Sequence, residues 1–249
     1  MLGKTFKSFK NLGFYTNMNK NLEKTIDYLK KKKKILFLTT SNRWSGSKDE
    51  PKSALLAKEI ASKLNNKVTI IDVAKLAIYV CEGNVSKRKY NDCGEKFALL
   101  KDEEKNPSQC HRCWASLNNP DDELWRISKE LFQSDCVVFF GSIRWGQMNS
   151  IYQKLIERLT WIENRHSTFG ESNLLKNIDA GLICIGHNWN GKNVIKIQKK
   201  VLNFFGFKTP KELFWNWQYT NDANEESQES YKKAFPKFIK DFEIEVSEG

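Results

Sequence analysis

Three short stretches of the chain each carry glycine or serine and one tryptophan, and each directly follows a run of apolar residues. The first runs from Ser41, Asn42, Arg43, Trp44, Ser45 and Ser47 to Pro51 and Ser53. The second is Gly141-Ser142-Ile143-Arg144-Trp145-Gly146-Gln147-Met148-Asn149, and the third is Gly186-His187-Asn188-Trp189-Asn190-Gly191. Serine hydroxyls and a basic side chain ahead of a helix suit a phosphate, because the free N–H groups and dipole of a helix N-terminus favour negative charge. Ser41, Ser47 and Ser53 with Arg43 can supply that set, while Ser45 competes with Ser47 and Ser53 for the phosphate. Gly141, Gly146, Gly186 and Gly191 let backbone come close to a flat ligand, and Trp44, Trp145 and Trp189 can wall it. The Gly-Lys-Ser/Thr ending of a P-loop is absent. One Gly-Ser loop reads as a plain turn; three loops of the same make-up favour a ligand site.

A second group of reactive side chains lies between these loops. Cys110-His111-Arg112-Cys113 is a C-x₂-C pair, with Cys81 and Cys93 upstream. Four thiolates could hold zinc or an iron–sulphur cluster, and a metal would order a long irregular segment. An exposed redox dithiol and unremarkable thiols are the competing readings. Cys136 and Cys184 sit inside apolar runs and read as core. His187 reads as a loop anchor or ligand-edge contact, whereas His111 and His166 have no partner pattern and read as surface residues.

The elements that must position these residues follow from periodicity. Short apolar runs at 35–40, 67–73, 136–140, 180–185 and 213–218 read as strands buried on both faces. Helical patterns fall at about 51–64, 121–132, 149–163, 193–205 and 224–242. Pro51 suits a first helical turn, Asp121 and Asp122 suit a helix N-terminus, and Asn149 or Ser150 suits a cap. Regularity lapses over 74–120, apart from a short helix near 97–104. Strands alternating with helices predict an α/β fold: a doubly wound, five-stranded parallel sheet with helices on both faces. Such sheets bind ligands beyond the carboxyl ends of their strands, which is where all three loops fall.

Charge is distributed unevenly. Residues 1–34 carry ten lysines against Glu23 and Asp27, a net +8 of the chain's +11. Residues 1–33 therefore read as a basic N-terminal extension, solvated or frayed, ahead of a domain spanning 34–245. The segment is not rich in arginine and serine as transit peptides are, and it lacks the apolar core of a secretory signal. No apolar stretch approaches the roughly 18–20 residues of a membrane-spanning helix. A soluble, cytoplasmic protein is expected, with organelle import through the leader as the alternative.

The residues "CVVFFGSIRWGQMNSIYQKLIERL", with "TTSNRWSGSKDEPKSALLAKEI" and "GHNWNG", resemble the flavodoxin-like NAD(P)H-dependent FMN reductases over roughly 34–220. The first loop is several residues longer than that family's phosphate loop. The resemblance implies FMN as cofactor, NAD(P)H as co-substrate, and a quinone, aromatic, metal-ion or flavin acceptor. It places Ser41, Arg43, Trp44, Ser47 and Ser53 at the phosphate side. Gly141, Ser142, Arg144, Trp145, Gly146, Gln147, Gly186, His187, Asn188 and Trp189 fall around the ring. Related iron–sulphur flavoproteins carry a compact cysteine group near Cys110 and Cys113, but Cys81 and Cys93 lie farther away. The rival readings are a flavodoxin-type or iron–sulphur electron carrier and a nucleic-acid-binding protein using the lysine leader. A small-molecule acceptor is the expected partner, and a homo-oligomer is allowed.

Overall fold

The computed structural model describes residues 12–43, 47–65, 67–86, 90–186, 189–220 and 227–244. Along the chain the regular elements are α1 (Leu12–Leu29), β1 (Lys34–Thr39), α2 (Lys52–Ser62), β2 (Lys67–Asp72), α3 (Trp114–Asn118) and α4 (Leu124–Leu131). There follow β3 (Cys136–Arg144), β4 (Gln147–Met148), α5 (Ser150–Arg158), α6 (Thr160–Ser167), β5 (Asp179–Gly186), α7 (Gly191–Phe204), β6 (Phe214–Gln218) and α8 (Gln228–Phe242). Five strands pair in parallel in the order β2-β1-β3-β5-β6. Apolar side chains leave both faces of this sheet, so both must be covered. One face packs Leu22, Ile26, Ile60, Phe238 and Phe242 from α1, α2 and α8. The other packs Leu124, Ile127, Tyr152, Leu155, Val194 and Leu202 from α4, α5 and α7. The chain leaves β1 toward one edge, to β2, and then crosses to β3 on the other side. The strand order therefore reverses between β1 and β3.

Several elements differ from the sequence expectation. β3 does not stop at Phe140: it runs on to Arg144, because Gly141 and Ser142 continue the register with Cys184 and Ile185 of β5. It then turns back as the two-residue β4. The helix expected at 149–163 is two helices meeting at Leu159. A 3₁₀ turn at Lys96–Ala98 replaces the short helix near 97–104. Among the described residues no helix is long and apolar enough to cross a membrane.

The lysine-rich leader is also corrected over its described part. From Leu12 it is helical, and Leu22, Thr25, Ile26 and Leu29 are buried at i, i+3, i+4 and i+7 spacing. Thr25 Oγ1 donates to the Glu212 carbonyl at 2.7 Å and accepts from Trp215 Nε1 at 2.9 Å. Tyr28 donates to Asp179 at 2.6 Å, and Lys32 pairs with the same carboxylate. The lysines occupy the rest of the surface while this stripe docks beside β6.

The irregular segment 74–120 is ordered by a buried polar hub. Arg158 and Asp122, both with fully buried side chains, share two hydrogen bonds at 2.7 and 3.0 Å. Asp122 also accepts from the Tyr79 and Leu124 N–H groups and from Ser116, while Arg158 donates to the Tyr79 carbonyl and Ser116. Asp122 thus spends its carboxylate on Arg158 as well as on the approach to α4. Burial alone would raise its pKa, but the Arg158 bonds and the Tyr79 N–H hold it below the usual carboxylate range. His111, expected at the surface, is buried against Trp161 with Nδ1 2.6 Å from Ser128 Oγ. Burial pushes its pKa down to about 4.

Two stability measurements check this description. Asp122→Asn strands a buried guanidinium, and chemical denaturation should show a loss of about 3–5 kcal/mol. Between about pH 6.5 and about pH 4 the unfolded chain binds a proton at His111 that the folded chain refuses. Stability should therefore fall as pH is lowered through that window, and more gently in His111→Gln.

Candidate functional site

The carboxyl ends of β1 and β3 are locked together by one side chain. Asn149 Nδ2 donates to the Thr40 carbonyl at 2.8 Å, and its Oδ1 accepts from Ser142 N at 3.1 Å and from Thr40 Oγ1 at 3.2 Å. Its own N–H donates to the Ser142 carbonyl at 3.0 Å. Thr40 completes the bridge by donating its N–H to the Phe140 carbonyl at 2.8 Å, while its one hydroxyl proton is shared between that carbonyl, at 3.0 Å, and Asn149 Oδ1. Asn149 precedes α5 but makes no side-chain cap, contrary to the expectation, because its amide is committed across the strands. Gly141 sits inside this lock. A Cβ there would lie 2.6 Å from Met148 Cε and 2.9 Å from Thr40 Oγ1, so glycine serves close packing rather than a ring's approach.

Beside the lock, the strand ends open into a cavity of about 310 Å³. Ser41, Asn42 and Arg43 line it from the end of β1, and Pro51, Lys52 and Ser53 from the start of α2. Ser142, Ile143 and Arg144 come from β3, Ile185 and Gly186 from β5, Trp217 and Tyr219 from the end of β6, and Tyr231 and Ala234 from α8. Such a volume lies at the lower end of small-molecule sites, roughly 300–1,000 Å³.

The α2 end of this cleft gathers hydroxyls, cations and helix N–H groups. Ser41 Oγ and Ser53 Oγ are buried and have no hydrogen-bond partner among the described residues. Two buried hydroxyls left unsatisfied are costly, on the order of 1–3 kcal/mol each, unless a ligand meets them. The first N–H groups of α2 have no intrahelical acceptor and add partial positive charge. Arg43 and Lys52 add full charges. Lys52 has its pKa lowered by burial and then by Arg43, against the pull of Asp49. A bound anion would relieve that mutual repulsion. The donor set fits a phosphate monoester such as that of FMN.

Six residues singled out from the sequence line this one cleft: Ser41, Arg43, Ser53, Ser142, Arg144 and Gly186. Others do not. Ser47 Oγ accepts from Asp49 N at 3.2 Å in the outer loop. Trp145 and Gly146 form the tip of the β3–β4 hairpin at φ 49° and 70°, where Asn190 Nδ2 donates to the Gly146 carbonyl at 2.8 Å. Trp145 is 84 % exposed and Trp189 50 %, with Gln147 exposed beside them. Trp44, Ser45, His187 and Asn188 lie outside the described residues. Asn42, Lys52, Trp217, Tyr219 and Tyr231 were not foreseen. Lys52 and Tyr219 could have been found by the strand-end rule that located the other loops. Tyr231 comes from a distant helix and carries no local signal.

The four-cysteine metal site is a correction. Among the described residues no group of three or more His, Cys, Asp or Glu side chains is placed to hold an ion. Cys110 Sγ turns to the Ser108 carbonyl at 3.3 Å, while Cys93 and Cys113 are buried in the core and Cys81 is partly exposed. The hub at Arg158 and Asp122 supplies the order that a metal was expected to bring.

No protein-family model and no curated protein sequence matches the chain. Among solved structures it is similar to RosB with a bound 8-demethyl-8-formylriboflavin-5'-phosphate intermediate. The identity is 16 % over 85 % of this chain and 76 % of that one, with a TM-score of 0.51. It is also similar to azoreductase AzrA, at 15 % identity over 84 % of this chain and 95 % of that one, with a TM-score of 0.50. The likeness is one of fold, and that fold is flavodoxin-like.

If Asn149 holds the two strand ends in place, Asn149→Ala should cost about 2–4 kcal/mol in chemical denaturation. It removes three hydrogen bonds and strands the buried Thr40 groups. An Asn149→Ala chain of unchanged stability would contradict the lock.

Proposed function

We propose that the chain is an FMN-dependent NAD(P)H oxidoreductase that passes electrons to a small-molecule acceptor. The observation that carries this reading is the pair of buried hydroxyls without a partner among the described residues, Ser41 Oγ after β1 and Ser53 Oγ in the first turn of α2, in the cleft that Arg43 and Lys52 also line. A phosphate would accept from both hydroxyls and from the first N–H groups of α2, and it would offset both cations. The RosB structure holds a riboflavin-5'-phosphate derivative on the same fold, which supports the same class of ligand here.

When bound, FMN supplies the hydride chemistry, and the protein supplies binding and orientation. Ser41, Ser53, Arg43 and Lys52 hold the phosphate. Ile143, Ile185, Trp217 and Ala234 give the cleft an apolar wall, and Tyr219 and Tyr231 close its side toward α8. Ser142 and Arg144 stand at the carboxyl end of β3, where they face a polar chain or ring edge. Trp145 follows Arg144 directly and lies with Trp189 at the exposed rim, where both would wall the ring. Among the described lining residues there is no histidine or carboxylate, and transfer between a nicotinamide and a flavin requires no protein acid or base. The family resemblance supplies the acceptor class: a quinone, a nitro- or azo-aromatic, a metal ion or a free flavin.

The reading is tested by titrating FMN against Ser53→Ala and Lys52→Ala chains whose circular dichroism matches the parent. Each lost phosphate contact is worth about 1–3 kcal/mol, so Kd should rise by roughly five- to 150-fold. Unchanged affinity in both would place the phosphate elsewhere and sink the assignment.

A further inference from the structure

Three of the cysteines meet away from the cleft. Cys81, Cys93 and Cys113 line one cavity of about 10 Å³, shared with Glu157, Arg158 and Trp161 and with none of the cleft residues. Their environments differ in ways that assign them different parts. Cys81 is partly exposed, so solutes can reach it, while Cys93 and Cys113 are buried. Arg158 Nη2 donates to Cys113 Sγ at 3.4 Å. That contact holds the Cys113 sulfur in place inside the shared cavity. Arg158 Nε, in a fully buried side chain, has no partner among the described residues, so this guanidinium has donor capacity left over. Cys93 has no such neighbour. Burial first, and then the nearby Cys113 and Cys81, push its thiol up to about 12, which leaves it almost wholly protonated.

We propose that Cys81 and Cys113 are a redox pair, converted to a disulfide by exchange with a low-molecular-weight disulfide and returned to thiols by a small dithiol. In the first step the exposed Cys81 thiolate attacks the small disulfide, forming a mixed disulfide and releasing one small thiolate. The Cys113 thiolate, held beside Arg158, then attacks Cys81 Sγ, closing the Cys81–Cys113 bond and releasing the second small thiolate. The two cysteines lose two electrons and two protons, and the small disulfide becomes two thiols. The bond would close a loop over residues 81–113, most of the irregular segment, and fasten it next to the hub at Arg158. This inference is independent of the cleft and of any flavin.

The test uses the full chain, equilibrated folded with oxidised glutathione, then denatured, alkylated and mapped by peptide mass spectrometry. The expected product is one linked peptide pair joining Cys81 to Cys113, with two fewer alkylated cysteines, fully reversed by dithiothreitol. Cys93→Ser should keep the link, whereas Cys81→Ser should abolish it. A glutathione adduct that stops at Cys81, a link through Cys93, or a folded chain in which all three cysteines stay alkylatable would each overturn the proposal. The parent chain alone decides between these outcomes, whether or not a Cys113→Ser variant folds.

Discussion

The carboxamide of Asn149 ties the two central strands together just past the end of their shared ladder, where the Ser41 and Ser142 sides of the cleft begin. β1 and β3 pair in parallel from Ile35–Cys136 to Thr39–Phe140, and beyond that register their connections leave in opposite directions. Asn149 joins them there with three side-chain hydrogen bonds to Thr40 and Ser142, in a place too dry for water to substitute. The lock demands a glycine at position 141, since any Cβ would strike Met148 and Thr40. It also brings Ser41–Arg43 beside Ser142–Arg144. α2 starts beyond the first of these segments, so its N-terminus faces the second across the cleft.

A second constraint holds the opposite face of the sheet. Arg158 on α5 and Asp122 ahead of α4 neutralise each other in the core and use their spare hydrogen bonds on Tyr79 and Ser116. A buried ion pair contributes little net stability relative to an apolar pair, but losing one partner is costly. Such a pair fixes one arrangement of the long segment between β2 and α4. Further polar ties extend it. Asn164 Nδ2 donates to Asn91 and to the Cys93 carbonyl, Arg165 donates to the Cys110 carbonyl, and Arg112 and Arg165 both pair with Glu171. These bonds, rather than thiolate–metal bonds, order a segment with little regular structure.

The parallel strands were legible because buried β-runs such as Ile35–Thr39 and Cys136–Phe140 are continuous and apolar. The three loops stood out because each joins glycine or serine and a tryptophan to the end of an apolar run, and six of the residues singled out there line the cleft. What was missed depends on contacts between residues far apart in sequence. The extension of β3 through Ser142 rests on pairing with β5, which no local pattern encodes, and its last two residues pair with β4. Asn149 looked like a cap because caps and cross-strand bridges use the same side chain. The stripe Leu22, Thr25, Ile26, Leu29 was present in the sequence, but ten lysines in residues 1–34 masked it. The C-x₂-C spacing suggested a shared ion, yet Cys110 and Cys113 turn to different partners: the Ser108 carbonyl and Arg158.

The cleft's chemistry is asymmetric, with hydroxyls, cations and helix N–H groups at the α2 end and apolar or aromatic surface elsewhere. If that end was built for a phosphate, affinity should depend on the phosphate more than on the ring. Isothermal titration of the same protein preparation with FMN and with riboflavin, which differ only in that group, measures this dependence directly. The account predicts that riboflavin binds at least about 100-fold more weakly than FMN, corresponding to roughly 3 kcal/mol. Equal affinities for the two, or no binding of FMN, would contradict it.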